Sequence, residues 1–284
     1  MSLVKISEIL KRAKENKYAV GAFNADNLEM VQAFISAAEV MHSPLILQVS
    51  LGAINYSGLE SVANIAIFEA SKAAVPVAVH LDHVKNLEHN IQALRAGVGS
   101  LCIDAADLDF ESNLAITKQI CELAHIVGLD AEAGIGYVPD SRERLSQQEV
   151  KNLKTQVPQA EKFVQETKVD LLAVAIGSMR GMSERVIELD LELLEKLDNA
   201  LKIPLVLHGA SGVKWKSIQN AIQRGICKVN IASTFDERFI KTIYEQMTQY
   251  PEELDFRKLF KPAKEAVKNT ACEIFNLLGS SNQY

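Results

Sequence analysis

Cysteine is sparse in this chain. The four present, Cys102, Cys121, Cys227 and Cys272, are scattered and form no CxxC pair, which argues against a disulfide framework and against a structural zinc knot. No block of lysine or arginine breaks a formal net charge of -6, so polymeric nucleic acid and anionic membrane surfaces are poor partners. Long apolar runs are missing too. The opening "MSLVKISEILKRAKENK" alternates charge with apolar residues at helical spacing and has the core of neither a signal peptide nor a membrane span, so a cytoplasmic location is expected. Neither a linker nor an internal repeat divides the 284 residues, 48% of which are hydrophobic; a single domain over 1–284 with one large core is expected.

What is abundant is a recurring short apolar run. Eight are found: "YAVGAFN" (18–24), "PLILQVS" (44–50), "VPVAVHLD" (75–82), "SLCID" (100–104), "GLDAEA" (128–133), "LLAVAIGS" (171–178), "PLVLHGAS" (204–211) and "CKVNIAS" (227–233). Each is apolar nearly throughout, as parallel strands covered on both faces are. Amphipathic stretches such as "NLEMVQAFISAAEVM" and "NLAITKQICELAHIV" lie between them, long enough for crossover helices. The alternation predicts an α/β fold, a (β/α)8 TIM barrel with extra terminal helices. Polar residues gather at or just past the run ends: Asn24, Ser50, Asp82 with His83, Asp104, Glu132, Ser178 with Arg180, His208 with Ser211, and Asn230 with Ser233. In a barrel those ends share one mouth, where active sites sit; an open doubly wound sheet would not explain the clustering. The long polar connection "GIGYVPDSRERLSQQEVKNLKTQ" between the fifth and sixth runs reads as a lid beside that mouth.

In "HLDH" (80–83), His80 and Asp82 share a face by the two-residue period, and His83 stands where the strand leaves the barrel. Imidazole there can bind a metal and the carboxylate can exchange protons with a bound hydroxyl. His208 converges from the seventh strand and Glu132 offers an oxygen, a donor set known from open catalytic zinc sites. His42, His89 and His125 fall in helical or loop segments and read as surface or packing residues. "HGASG" (208–212) and "NIAS" (230–233) combine small residues with the hydroxyls of Ser211 and Ser233, the chemistry of a barrel's usual phosphate loops.

Taken in order, "AVGAFNADNLEMVQA", "HLDH", "SLCIDAADLDFESNL", "LDAEAG", "LLAVAIGS", "PLVLHGASG", "GICKVNIAS" and "DFRKLFKPA" resemble the class II, metal-dependent ketose-bisphosphate aldolases, of fructose-1,6- and tagatose-1,6-bisphosphate type. The resemblance covers nearly the whole chain and implies a lyase that breaks or forms a carbon–carbon bond in a ketose (bis)phosphate, with dihydroxyacetone phosphate as the nucleophilic part. It implies zinc on His83 and His208 with Glu132, and Asp104 as a carboxylate behind them that also meets a metal. Asp82 would exchange the proton at the bond being made or broken. Asn230 would contact the dihydroxyacetone-phosphate portion, and Gly209, Ser211 and Ser233 its phosphate. Asn24, Ser50 and Gly181 belong to the same substrate-binding mouth. Arg257 would reach the other phosphate from a neighbouring subunit, which makes a homodimer or homotetramer the expected assembly and a small sugar phosphate the expected partner.

Two positions depart from the family pattern. Arg180 in "IGSMRG" stands where the third zinc histidine is expected, and a guanidinium has no lone pair to give a metal. Zinc would then rest on fewer ligands, or Arg180 would itself act on the substrate in catalysis; a metal-free or catalytically silent sugar-phosphate-binding paralogue is the alternative. The family's Gly-Gly-x-Glu-Asp lid element, which supplies a proton-transferring glutamate, is also missing. Asp140, Glu143 and Glu149 are the candidates to replace it.

Overall fold

A computed structural model describes residues 2–143 and 145–284; Arg144, inside the expected lid, lies outside them. Among the described residues eight parallel strands close into one barrel in chain order, the last pairing with the first. They are β1 (Val20–Asn24), β2 (Leu45–Ser50), β3 (Val77–Asp82), β4 (Ser100–Ile103), β5 (Asp130–Ile135), β6 (Leu171–Val174), β7 (Leu205–Leu207) and β8 (Ile226–Ile231). The helices are α1 (Ile6–Asn16), α2 (Leu28–Val40), α3 (Leu51–Ser57), α4 (Leu59–Lys72), α5 (Leu87–Arg95), α6 (Phe110–Ile126), α7 (Gln147–Asn152), α8 (Val157–Thr167), α9 (Leu191–Ala200), α10 (Trp215–Ile222), α11 (Ser233–Gln249) and α12 (Phe256–Leu278). The expected barrel with extra helices at both ends is what forms, and among the described residues no helix is long and apolar enough to cross a membrane.

Why the barrel closes follows from the strand pattern. Residues of one parity point outward and meet the helices in a single large core, while those of the other parity fill the interior in layers. The lowest layer is apolar: Val20, Ala22, Ile46, Ala78 and Val206 pack with Ile6, Ile9, Leu10 and Ala13 of α1, which plugs the bottom of the barrel. Above it the interior turns polar, with Gln48, His80, Glu132 and Lys228 all buried. Higher again lies the mouth.

Expected and observed strands differ at the seventh run, where β7 covers Leu205–Leu207 of the expected 204–211, and at the sixth. It was expected to reach Ser178, but β6 ends at Val174, because the next backbone groups bond outside the sheet. Ala175 N donates to Thr155 Oγ1 at 2.8 Å and Asp190 N donates to Ile176 O at 2.9 Å. Gly136 makes that crossing possible: at φ +78°, a Cβ there would lie 2.7 Å from Thr155 Oγ1. The predicted lid is thereby sewn to the segment that follows β6.

Candidate active site

Several strand ends deliver side chains to the mouth. Asp82 ends β3 and is 2% exposed; its Oδ1 accepts a hydrogen bond from Asn230 Nδ2 of β8 at 3.1 Å. His83 follows with φ +55°, a left-handed conformation uncommon for a residue with a side chain. That turn swings its ring into the mouth, where it lies edge-on to His208, with ring centroids 4.6 Å apart. Its Nδ1 donates to Asp104 Oδ2 at 2.6 Å, so Nε2 is the nitrogen left for a ligand. Donor atoms of Asp82, His83 and His208 all lie within 4.8 Å of one another. Two imidazoles and a carboxylate on rigid strand ends suit a divalent cation such as zinc, so the residues present fit the metal that the sequence implies.

Beneath them sits a buried charge network. Glu132 Oε1 accepts from His208 Nε2 at 2.9 Å and Oε2 accepts from Lys228 Nζ at 2.8 Å. His80 Nε2 lies 3.3 Å from Oε2 without good hydrogen-bond geometry, and its Nδ1 is 2.7 Å from Ser100 Oγ. Burial alone would push the Glu132 carboxyl up, but Lys228, His80 and the hydrogen bond from His208 outweigh it and hold it well below the usual range. His80 is held down by burial and by Lys228. Asp104 behaves like Glu132: burial is outweighed by His83, His208 and Arg180, and its carboxyl is depressed. Burial pushes the Cys102 thiol well up, so the sulfur beside Glu132 stays inert.

Arg180 lines two adjoining cavities. The inner one is bounded by His83, Asp104, Tyr137, Val138 and His208; the outer by Asn24, Asp82, Gly181, Gly209, Ser211, Asn230 and Ser233. Arg180 Nε is buried without a partner, and so is Asn230 Oδ1. A donor and an acceptor left unsatisfied beside one cavity are what an absent polar ligand would leave behind. Gly209 is required at φ +68°, since a Cβ there would come within 2.9 Å of Val138 Cγ1 and 3.0 Å of the Met179 carbonyl carbon.

Most residues expected at the mouth are therefore together: Asp82, His83, Asp104, Glu132, Arg180, His208 and Asn230, with Asn24, Gly181, Gly209, Ser211 and Ser233 around the outer cavity. Both Glu132 oxygens already have partners, and Asp104 reaches the mouth through His83. Ser50 stands apart from both cavities; its hydroxyl caps α3 by accepting from Ala53 N at 3.2 Å. Arg257 lies on the first turn of α12, 78% exposed by its side chain and paired with Asp255. His125 is a surface residue, as expected, bonded to Asp170 at 2.9 Å.

Three contributors were not singled out from sequence. Lys228 is a charge inside an otherwise apolar strand and shares the inner face with Asn230, a signal that the two-residue period makes readable. Arg185 lines the outer cavity and donates to the carbonyls of Ala210 and Val213, both at 2.8 Å, while stacking over Trp215. Tyr137 lines the inner cavity from the fifth connection.

A parallel barrel with titratable residues at its strand ends and small-residue loops after the last two strands has the layout of barrel enzymes that act on phosphorylated metabolites. Residues 4–283 match the model of the family described as "Fructose-bisphosphate aldolase class-II". A probable fructose-bisphosphate aldolase of Bacillus subtilis (strain 168) is 38% identical over 286 aligned residues, covering 100% of both chains. The fructose-bisphosphate aldolase of Geobacillus stearothermophilus is also 38% identical, over 100% of this chain and 99% of its own. Among solved structures, that of the YdjI aldolase from Escherichia coli K12 is similar with a TM-score of 0.88 and 32% identity, covering 99% of each chain. The chain belongs to the class-II fructose-bisphosphate aldolase family and is, by that membership, a carbon–carbon lyase.

Proposed function

We propose that the protein reversibly cleaves a ketose bisphosphate into dihydroxyacetone phosphate and an aldehyde. The observation that carries this reading is the convergence of Asp82, His83 and His208 on one point, opening directly onto a cavity lined by Gly209, Ser211 and Ser233. Backbone N–H groups and hydroxyls of that cavity hold the phosphate of the dihydroxyacetone portion. Asn230, bonded to Asp82, orients the substrate beside it, and Asp82 takes the proton of the hydroxyl at the bond that breaks. Arg180, facing both cavities, places a fixed cation where negative charge develops. His83 and His208, with the Asp82 carboxylate within reach, would hold a zinc ion, which when bound supplies Lewis-acid polarisation of the substrate oxygens. Asp104 and Glu132 fix the two imidazoles through their hydrogen bonds.

The same reading includes a homodimer or homotetramer in the cytoplasm. Ile240, Tyr244 and Met247 expose 65%, 71% and 54% of their surface along one side of α11, and Leu254 and Phe256, close to Arg257 in the chain, are exposed as well. An apolar helix face of that kind suits a second copy of the chain, with Arg257 reaching a neighbouring site. The test is elemental analysis of protein purified without chelator, combined with cleavage assays on fructose and tagatose bisphosphates. Stoichiometric zinc and turnover lost to EDTA and restored by zinc are expected. No turnover on either sugar or on a wider ketose-phosphate panel would refute the reading.

A further inference from the structure

The family's lid glutamate has no counterpart in "GIGYVPDSRERLSQQEV", and the structure discriminates among the acidic residues that remain. Glu149 is engaged at the start of α7, where its Oε2 accepts from Ser146 N and Oγ at 2.8 and 2.6 Å. Asp140 is held by Arg142 through N, Nε and Nη2 at 3.0, 2.7 and 3.0 Å. Those bonds lower its carboxyl to about 2, and it lines neither cavity of the mouth. Glu143 differs from both: its Oε1 accepts from Tyr137 Oη at 2.8 Å and from Asp140 N at 2.7 Å. Tyr137 is the member of this segment whose side chain combines a proton to move with a place in the inner cavity, beside His83, Asp104 and Arg180. Its backbone is pinned by Tyr137 N donating to Leu153 O at 2.9 Å.

We propose that the Tyr137 hydroxyl, backed by Glu143, returns the proton to the nucleophilic carbon after carbon–carbon cleavage. The inference rests on the aldolase reading above. In the cleavage direction the electron pair left by the broken carbon–carbon bond resides on the enediolate carbon. The Tyr137 O–H bond then breaks and its proton forms the new C–H bond with that pair; the phenolate regains a proton through Glu143, which takes it from water. In the condensation direction the C–H proton passes to the Tyr137 oxygen while the hydroxyl's own proton moves to the Glu143 carboxylate. One proton enters from solvent and one leaves through Asp82, so no further reactant is needed. The hydrogen bond to Glu143, aided by burial, pushes the phenol up from its ordinary value, while Arg180 opposes that shift; Lys85 and Asp104 are further charged groups of the same cavity. The hydroxyl therefore keeps its proton at neutral pH, and a cation stands ready for the transient phenolate. Tyr137 is the catalytic residue in this scheme and Glu143 a positioning residue.

The experiment uses the full-length, zinc-loaded protein and three variants: Tyr137→Phe, Glu143→Gln and Asp140→Asn. Exchange of the dihydroxyacetone phosphate C–H proton with deuterium oxide, followed by NMR without aldehyde, isolates the proton transfer. Cleavage of the ketose bisphosphate is read in parallel, and the carbanion it releases by reduction of hexacyanoferrate(III). Loss of a general acid–base group predicts exchange slowed on the order of 10² to 10³-fold in Tyr137→Phe, with KM within about threefold of the wild type. Hexacyanoferrate reduction should persist in that variant, because bond breaking precedes the lost step. Glu143→Gln should slow exchange about tenfold and Asp140→Asn should leave it unchanged. Wild-type exchange in Tyr137→Phe, or loss of exchange in Asp140→Asn instead, would overturn the inference alone. A wild-type protein that neither exchanges nor cleaves would overturn the aldolase reading and this inference with it.

Discussion

The floor of the mouth and its rim are built differently. Asp82, Glu132, Lys228 and Asn230 lie on strands, and His83 and His208 directly follow strand ends; the ladder that closes the barrel sets their separations. Within that floor both oxygens of Glu132 and one nitrogen of each mouth histidine have partners. Tyr137 and Arg180 instead ride on the connections after β5 and β6, joined to each other through the isolated bridge of Asp140 with Arg180. There Arg180 Nε has no partner, and Glu143, which bonds Tyr137, is exposed. Both departures from the family pattern fall on this rim. A frame fixed by the sheet holds the chemistry common to the family, while loops can exchange side chains without disturbing the barrel.

The largest expected effect tests the floor as chemistry. Asp82→Asn keeps the shape and the bond to Asn230 but removes the base, so kcat should fall on the order of 10³-fold with little change in thermal stability. A loss below tenfold in steady-state cleavage would mean that proton removal lies elsewhere. Next comes the floor as structure. Lys228 is fully buried against Glu132, and Lys228→Met would strand a buried carboxylate, lowering unfolding free energy by about 3 kcal/mol. The double variant Lys228→Met with Glu132→Gln should recover part of that loss in urea titrations. Without recovery, the pair is not the source of the stability.

The rim answers a smaller question. Arg180→His exchanges a cation for a donor beside His83 and His208, so zinc affinity in chelator competition should rise by about tenfold, roughly 1.4 kcal/mol. An unchanged affinity would mean that the loop does not bring residue 180 within reach of the ion. If Arg180 also serves the substrate, kcat should fall in the same variant even as zinc binds more tightly.

How much of this was legible in the sequence follows the same division. The strand runs, their order and the residues at their ends were readable, because parallel strands buried on both faces leave continuous apolar runs and the period of two fixes what shares a face. Asp82, His83, His208 and Asn230 were placed on that basis. The engagement of Ser50 in a helix cap was hidden, since a hydroxyl at a strand end reads alike whether it meets a ligand or a backbone N–H. So was the pairing of Tyr137 with Glu143, because it depends on how a connection folds back over the barrel, and loop geometry leaves no period in the sequence. Lys228 was legible in principle: a lysine inside an apolar strand requires a buried anion, and the strand-borne carboxylates Asp82 and Glu132 were both available to it.

The contrast extends to carboxylates that have no cation nearby. Glu132, nearly inaccessible at 1% exposure, is held down by Lys228, whereas Asp26, in the turn after β1, is raised to about 6 by burial and by Asp236 on α11. Below about pH 4 Asp26 is protonated in both folded and unfolded chains and makes no difference. Between about 4 and 6 the unfolded chain ionises first, so stability falls as pH rises, and above about 6 the loss is complete. A shift of that size corresponds to roughly 3 kcal/mol in full, and partial access to solvent reduces it to about 1 kcal/mol. Asp26→Asn should therefore match the wild type in urea unfolding at pH 4 and exceed it by about 1 kcal/mol at pH 8. A difference that stays constant across that range would show that water or a rearrangement of the rim relieves the charge, and that burial without a partner is not what separates rim from floor.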